Sequence, residues 1–297
     1  MLGSCFTDYI GSILEKYLFD VTVNPFGVIY NPLSIRNSIN ALLNKDMYKQ
    51  DDLQKHNDLW FSFDHYTRFS DPDPGAALEK INSAFLRAKQ KLTSASHLVL
   101  TFGTAFIYEL PEKGRVVNNC HKIPASQFRR RMLSTNEIVE EVTVMMQELL
   151  AQVPNLQIIL TVSPVRHVKD GLAENQRSKA ALVLAAAELT KGFPENCTYF
   201  PSYEIMMDDL RDYRFYGADL VHPSEQAIGY IWEKFLETCF SEQAREIIRE
   251  IEPVIRARGH RPLHTQTPAY QKFQSELDEK VRKLKNKFSF LQWEMLP

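Results

Sequence analysis

The stretch His97-Leu-Val-Leu-Thr-Phe102-Gly103-Thr104-Ala105 sets how this chain is read. Leu98 to Phe102 are apolar or β-branched without polar alternation, the composition of a strand buried on both faces, and the strand ends at a glycine turn. A helix over about Pro74 to Thr93 leads into it. The next such run is Gln157-Ile-Ile-Leu-Thr-Val162, ended by Pro164. Before it, Ser134-Thr-Asn-Glu137 matches a capping box, in which serine and glutamate satisfy each other's backbone N–H groups; that helix runs to about Val153. Toward the N-terminus, Tyr9, Ile13, Leu14, Tyr17 and Leu18 give helical spacing over 8–19, and Asp20-Val-Thr-Val23 reads as a short strand. Asn31-Pro32 reads as an N-cap and first-turn proline of another helix. Helix over 174–191, strand at Thr198-Tyr-Phe200, helix from Ser202 and helix from about Ser224 to Phe240 complete the series. Strand then helix, repeated, is the pattern of an α/β fold: a three-layer α/β/α doubly wound parallel sheet.

The strands stop near residue 241. Beyond it a charged helix, a break at Gly259 and Pro262, and a lysine-rich helix over about 268–288 make a C-terminal helical extension. The expected domains are therefore 1–240 and 241–297, with a polar excursion from the core at about 45–73. Met1-Leu2 is too short for the central strand that should precede the Gly3 turn, so a native chain extending upstream by at least one short apolar strand is expected.

Composition narrows the function. Of 297 residues, 44% are hydrophobic and 24% charged, which excludes a disordered or fibrous chain. Lys+Arg number 35 against 37 Asp+Glu, so no global positive field is present to hold nucleic acid, and the basic stretch Arg256 to Arg261 is too short to argue for it. No apolar run approaches the length of a membrane span. Cys5, Cys120, Cys197 and Cys239 are scattered with no signal peptide ahead of them, which reads as free thiols in a cytoplasmic protein. Cys120-His121 lacks metal-ligand spacing, and no dinucleotide or P-loop fingerprint occurs.

Two places carry chemistry. In Gly3-Ser4-Cys5-Phe6 a nucleophile would stand at a helix N-terminus, whose free N–H groups lower a thiol pKa and bind an oxyanion. In Asp219-Leu-Val-His222-Pro223 a carboxylate three residues before a histidine can hold the ring's Nδ1–H, fixing its tautomer. Arg129-Arg130-Arg131 reads as a solvated face or as a grip for a phosphorylated carrier such as coenzyme A.

A nucleophile early and Asp-x-x-His-Pro late is the chain order of the SGNH-hydrolase (GDSL esterase) superfamily, and the sequence resembles the GSCFA family within it. The motifs are Gly3-Ser4-Cys5-Phe6-Thr7 (threonine where the family's name has alanine), Asn24-Pro-Phe-Gly27-Val-Ile-Tyr-Asn31-Pro32, Thr101-Phe-Gly103-Thr104-Ala105, Asn119-Cys-His121-Lys122, Ser163-Pro-Val-Arg166-His167 and Arg211-Asp-Tyr-Arg-Phe215. They cover roughly 1–240; the tail beyond 241 adds little to the resemblance. It implies an SGNH-like, flavodoxin-like fold and an acyl-ester hydrolase or O-acyltransferase acting on acylated carbohydrate through a nucleophile-His-Asp triad and an acyl-enzyme. His222 would be the general base and Asp219 its orienting group. The nucleophile position, two after the glycine, is Cys5, with Ser4 the other candidate; a Gly-Asn-Cys-Gln signature in capsular-polysaccharide acetyltransferases is similar. The Cys5 N–H and Gly27 would contribute to the oxyanion hole. The block at Gly103-Thr104-Ala105, with Gly103 also an oxyanion-hole candidate, has alanine in place of asparagine, so the further donor is Asn31, Asn119 or the Thr104 hydroxyl, or is absent. His121 and His167 both follow strands and read equally as substrate contacts or as satisfied loop histidines; with Lys122 and Arg166 beside them they are the substrate-binding candidates. No cofactor or metal is implied, beyond acyl-coenzyme A as donor in the transferase case. The competing class is a catalytically degenerate binding or scaffold protein on the same fold.

Overall fold

The computed structural model of the chain describes residues 1–112, 114–259 and 266–296. Its central sheet has the order β1 (Leu2–Gly3), β4 (His97–Phe102), β8 (Gln157–Val162), β9 (Cys197–Phe200), with every neighbouring pair parallel. In β4 and β8 five of the six residues are buried, as continuous apolar runs require in a sheet covered on both faces. The strand expected to be central, β1, ends this order. Its outer edge is nonetheless bonded. Met1 N–H donates to Thr22 O (2.7 Å) and Asn24 N–H to Met1 O (3.0 Å), the bonding pattern of a parallel neighbour, and Ile29 N–H donates to Gly3 O (2.8 Å). The expected strand at 20–23 is therefore too short to form a ladder of its own, yet its end occupies the flanking position. Counting it, the order becomes that of a flavodoxin-like doubly wound sheet, with the switch point between β1 and β4.

The helices covering the sheet begin where local chemistry satisfies their first N–H groups. In α2 (Pro32–Asn44), Asn31 accepts from Ser34 N–H (2.8 Å) and Pro32 opens the first turn. Asp73 caps α3 (Pro74–Thr93) in the same way, accepting from Ala76 N–H (2.7 Å). Ser134 and Glu137 form the capping box of α4 (Thr135–Gln152). α2 packs against α3 and α4, and α4 against α5 (Leu172–Gly192), while α6 (Ser202–Asp208) lies against β8. α1 (Cys5–Lys16) starts three residues earlier than its apolar spacing indicates, directly after Ser4.

Two segments depart from the sequence expectations. Residues 45–73 are not an excursion: β2 (Gln54–His56) and β3 (Leu59–Phe61) form a hairpin, and Tyr48, Leu53 and Phe69 belong to the main core. His65, fully buried, packs its ring on Phe26, Tyr48 and Phe69, and burial pushes its pKa down to about 4. Tyr48, Phe61, Phe63, His65 and Phe69 are buried while the charged residues of the stretch stay at least partly exposed, which the average composition hides. Residues 106–132 hold a second, antiparallel sheet that periodicity did not reveal, of order β6 (Arg115–Val117), β5 (Phe106–Leu110), β7 (Arg129–Met132). The arginine triplet lies in β7. Arg130 pairs with Asp170, and Arg131 with Glu109 and Glu137, so two of the three cations are already committed to carboxylates.

The chain divides into two compact units, Met1–Asp8 with Thr22–Ile231 and Tyr9–Val21 with Trp232–Pro297, so that the division falls inside α1 and α7 (Glu225–Cys239). The second unit packs α8 (Glu242–Arg258) on α9 (Pro268–Lys287) around Leu18, Ile251, Ile255, Leu284 and Phe288. Trp293 closes this cluster and donates Nε1–H to Phe288 O (2.8 Å). The helix break at Gly259 is observed as a C-cap, whereas Pro262 and Arg261 lie outside the described residues. Among the described residues no helix is long and apolar enough to cross a membrane.

Candidate active site

The carboxyl ends of β1 and β4, at the switch point, are where a doubly wound sheet presents its ligand crevice. β1 ends at Gly3, whose φ of +153° lies in a region that side chains rarely adopt, and a Cβ there would stand 2.5 Å from Thr101 O. Glycine is what allows β1 to approach β4 closely enough to aim the next two residues into the crevice. Replacing Gly3 by alanine is expected to destabilise the fold by roughly 3 kcal/mol, the upper end of overpacking costs, seen as a lower urea midpoint with unchanged slope.

Ser4 is buried, and Cys5, the first residue of α1, is half-buried. The Cys5 thiol lies 3.9 Å from the Tyr30 hydroxyl. Burial pushes the thiol pKa up, the Tyr30 hydrogen bond draws it partway back, and Asp8 adds to the rise. The depressed thiol expected from the helix N-terminus is thus not found: desolvation is the largest cause, and no cation among the described residues offsets it. Cys5 would have to lose its proton during attack.

β4 ends at Gly103. A Cβ on Gly103 would lie 2.9 Å from Tyr30 O, 3.2 Å from His167 Nε2 and 3.3 Å from the Ser4 Cβ, so Tyr30, His167 and Ser4 converge on this glycine. Of the backbone donors around the crevice, those of Gly27 and of the Gly103 block are spent elsewhere. Gly103 and Thr104 both donate to Tyr30 O (2.8 Å each) and Gly27 donates to Asn24 O (2.8 Å). The Thr104 hydroxyl pairs with Ser178 Oγ (3.1 Å), which also accepts Ala105 N–H (2.7 Å). Asn31 Oδ1 caps α2, and Asn119 Oδ1 accepts His121 N–H (2.8 Å). The Cys5 N–H, in the first turn of α1, donates to no carbonyl among the described residues.

The dyad sits on a closed loop. Tyr216 and Pro223 form an antiparallel bridge, and Gly217 N–H donates to His222 O (2.7 Å). Inside this loop Leu220 takes φ +57°, which lets Asp219 Oδ1 accept from both Val221 (2.9 Å) and His222 (3.0 Å) N–H groups. Asp219 Oδ2 then lies 2.7 Å from His222 Nδ1. The His222 hydrogen bond, followed by the two backbone donors, holds the Asp219 carboxyl well below its ordinary pKa. His222 Nε2 has no hydrogen-bond partner among the described residues and is the atom left to take a proton.

The β8 loop joins these parts. Arg166 donates its N–H to Val221 O (3.2 Å) and Nη1 to Leu220 O (3.4 Å), with its guanidinium 4.0 Å over the Tyr216 ring. Its contacts clamp the dyad loop. Next to it, His167 N–H donates to Asn175 Oδ1 (2.8 Å), and the ring stands edge-on to Tyr30. Burial, then the Lys179 ammonium and His222, lower the His167 pKa to about 3. His121 is placed differently: its ring stacks on Phe61 (4.1 Å) and Nε2–H donates to Ser62 O (3.0 Å), within an aromatic cluster of its own, while Lys122 beside it is exposed.

Sequence reasoning passed over Lys179 and Tyr30. Lys179 is 1% exposed and donates Nζ to Gly103 O (2.7 Å) and Ser163 O (2.6 Å), tying the ends of β4 and β8 together. Burial lowers its pKa to about 7. Its spacing of three and seven from Leu182 and Ala186, on the buried stripe of α5, is the signal that marks it. Among the described residues no group of His, Cys, Asp and Glu is arranged to hold a metal ion.

Compared with known proteins, residues 1–235 match the model of the GSCFA family, and residues 251–295 match that of the GSCFA domain protein, C-terminal domain. The tail, which added little to the sequence resemblance, therefore carries a family signature of its own. No curated protein and no solved structure matches the chain.

Proposed function

The chain belongs to the GSCFA family, and from that membership and its site we propose that it is an SGNH-type acyl-ester hydrolase or O-acyltransferase acting on acylated carbohydrate. The observation that carries this reading is the Asp219–His222 pair, 2.7 Å apart, with Asp219 fixed by two backbone donors and His222 Nε2 unengaged. A histidine held this way removes a proton from a nucleophile and returns it to a leaving group. The half-buried Cys5, more accessible than Ser4, attacks the ester carbonyl as its proton passes to His222 Nε2. The alcohol leaves with that proton; water or a sugar hydroxyl, deprotonated by the same nitrogen, then attacks the acyl-enzyme, whose C–S bond breaks as the Cys5 thiolate takes the proton. In the transfer case acyl-coenzyme A is the donor, and its thiol leaves in place of the alcohol. The exposed Tyr213 ring, 5.6 Å from the Arg166 guanidinium beside the dyad loop, offers a face for a sugar.

A second reading, a binding or scaffold protein that has lost catalysis, is favoured by the spent N–H groups of Gly27, Gly103 and Thr104. p-Nitrophenyl acetate separates the two. The enzyme reading expects release of p-nitrophenol that His222→Ala and Cys5→Ala abolish and Ser4→Ala largely keeps. Activity retained in Cys5→Ala transfers attack to Ser4, and no release from the wild type leaves the scaffold reading standing. Because burial raises the thiol pKa, alkylation of Cys5 by iodoacetamide at pH 7 is expected to be slow and to accelerate with rising pH.

A further inference from the structure

Attack on an ester carbonyl moves the carbonyl π pair onto oxygen, and that oxygen needs a donor poised where the charge develops. Of the backbone donors around the crevice, those of Gly27, Gly103 and Thr104 are fully engaged with carbonyl oxygens, and Ala105 N–H with Ser178 Oγ. A polar side-chain atom at the crevice is in the opposite condition. His167 Nε2 is buried, has no hydrogen-bond partner among the described residues, and stands 3.2 Å from the position a Gly103 Cβ would take, itself 3.3 Å from the Ser4 Cβ. An imidazole nitrogen left unpaired in a buried place costs free energy, and the absence of a side chain on Gly103 keeps a methyl group from being pressed against it at 3.2 Å.

We propose that His167 is a catalytic residue of this site, donating Nε2–H to the oxyanion formed from the substrate carbonyl. This assignment rests on the acyl-transfer reading above. The imidazole supplies a hydrogen bond and gives up no proton: the nucleophile's proton passes to His222, the oxyanion is held by His167 together with the Cys5 N–H, and its collapse restores the carbonyl as the leaving oxygen takes the proton back. A donor of this kind must stay neutral and keep its ring orientation. Burial and the Lys179 ammonium keep the ring uncharged, and the Asn175 bond to its backbone and the edge contact with Tyr30 hold it in place. Neutral histidine as a polarising donor is physically sound, since an imidazole N–H in a desolvated site is a strong donor without charge to solvate.

The experiment compares kcat and KM for p-nitrophenyl acetate in the wild type, His167→Leu, His167→Gln and His222→Ala, all as the full chain. His167→Leu is expected to lower kcat about 10²- to 10³-fold with KM changed less than about threefold, the signature of a lost oxyanion donor. His167→Gln, whose amide N–H falls near the place of the imidazole Nε2–H, is expected to recover at least about tenfold of that loss and to keep the wild-type pH–rate midpoints, since the base remains His222. A kcat within about threefold of wild type in His167→Leu overturns the assignment. So does a folded His167→Gln protein, checked by near-UV circular dichroism, that is as slow as His167→Leu, or one whose pH–rate midpoint has moved. If the wild type turns over and His222→Ala does not, those failures strike the His167 role alone. A wild type without turnover sinks the enzyme reading and this assignment with it.

Discussion

Asp219→Asn is expected to lower kcat for ester turnover by about four orders of magnitude while melting temperature and KM stay near the wild-type values. The Asp219 carboxylate accepts from three donors at once: the N–H groups of Val221 and His222 on Oδ1 and the His222 ring on Oδ2. An asparagine can keep the two backbone donors on its single carbonyl oxygen, so the loop geometry survives. What it presents to Nδ1 is then an NH2 group. The ring responds by turning Nδ1 into an acceptor and placing its proton on Nε2, the atom that receives the nucleophile's proton in the reaction proposed above. The fold is intact and the base is in the wrong tautomer. Steady-state kinetics alongside circular dichroism measure both halves of this statement. A variant within tenfold of wild-type kcat would show that Asp219 serves only to shape the loop.

The second large effect concerns stability. Lys179 has its pKa lowered by burial to about 7, against an ordinary value of 10.5. Between those pH values the unfolded chain binds a proton that the folded chain does not, so unfolding free energy rises with pH. The contribution is fully present above 10.5 and is lost as pH falls through about 7, at a slope of about 1.4 kcal/mol per pH unit inside the window. Between pH 7 and pH 9 the wild type is therefore expected to gain about 3 kcal/mol from this group. Lys179→Met keeps the stem and removes the titration. It also leaves Gly103 O and Ser163 O without their donor, a cost of about 1–3 kcal/mol for each buried carbonyl. The difference between the two proteins should widen from pH 7 to pH 9 in urea titrations, because other titrating groups contribute alike to both. Parallel curves would mean that Lys179 keeps its proton throughout, stabilised by the two carbonyls it bonds.

Features set by local physics were legible in the sequence. Continuous apolar runs marked β4 and β8, since a strand covered on both faces has no polar alternation to blur it. Asn31-Pro32 and Ser134-x-x-Glu137 marked helix starts, because an N-cap satisfies its donors within four residues. The Asp219–His222 pair was legible for the same reason: three residues of a closed turn bring the two side chains together whatever surrounds them. The family was legible too, from motifs spread over the first 240 residues. Everything that depended on residues far apart in the chain came from the packing of the folded state. The aromatics of 45–73 turn inward only because a core waits for them, and β5, β6 and β7 pair only once 106–132 is folded back on itself. The thiol of Cys5 reads as activated from its place at a helix start, yet burial against Tyr30 raises its pKa, and desolvation is a property of the packed state alone. Lys179 is one lysine among many until α5 lays it beneath Gly103 and Ser163, 76 and 16 residues away. Short-range sequence therefore set the sheet's strands, the helix starts and the dyad; which donors remain free at the site was settled by long-range backbone pairing, where each N–H is claimed by whichever carbonyl the fold brings to it.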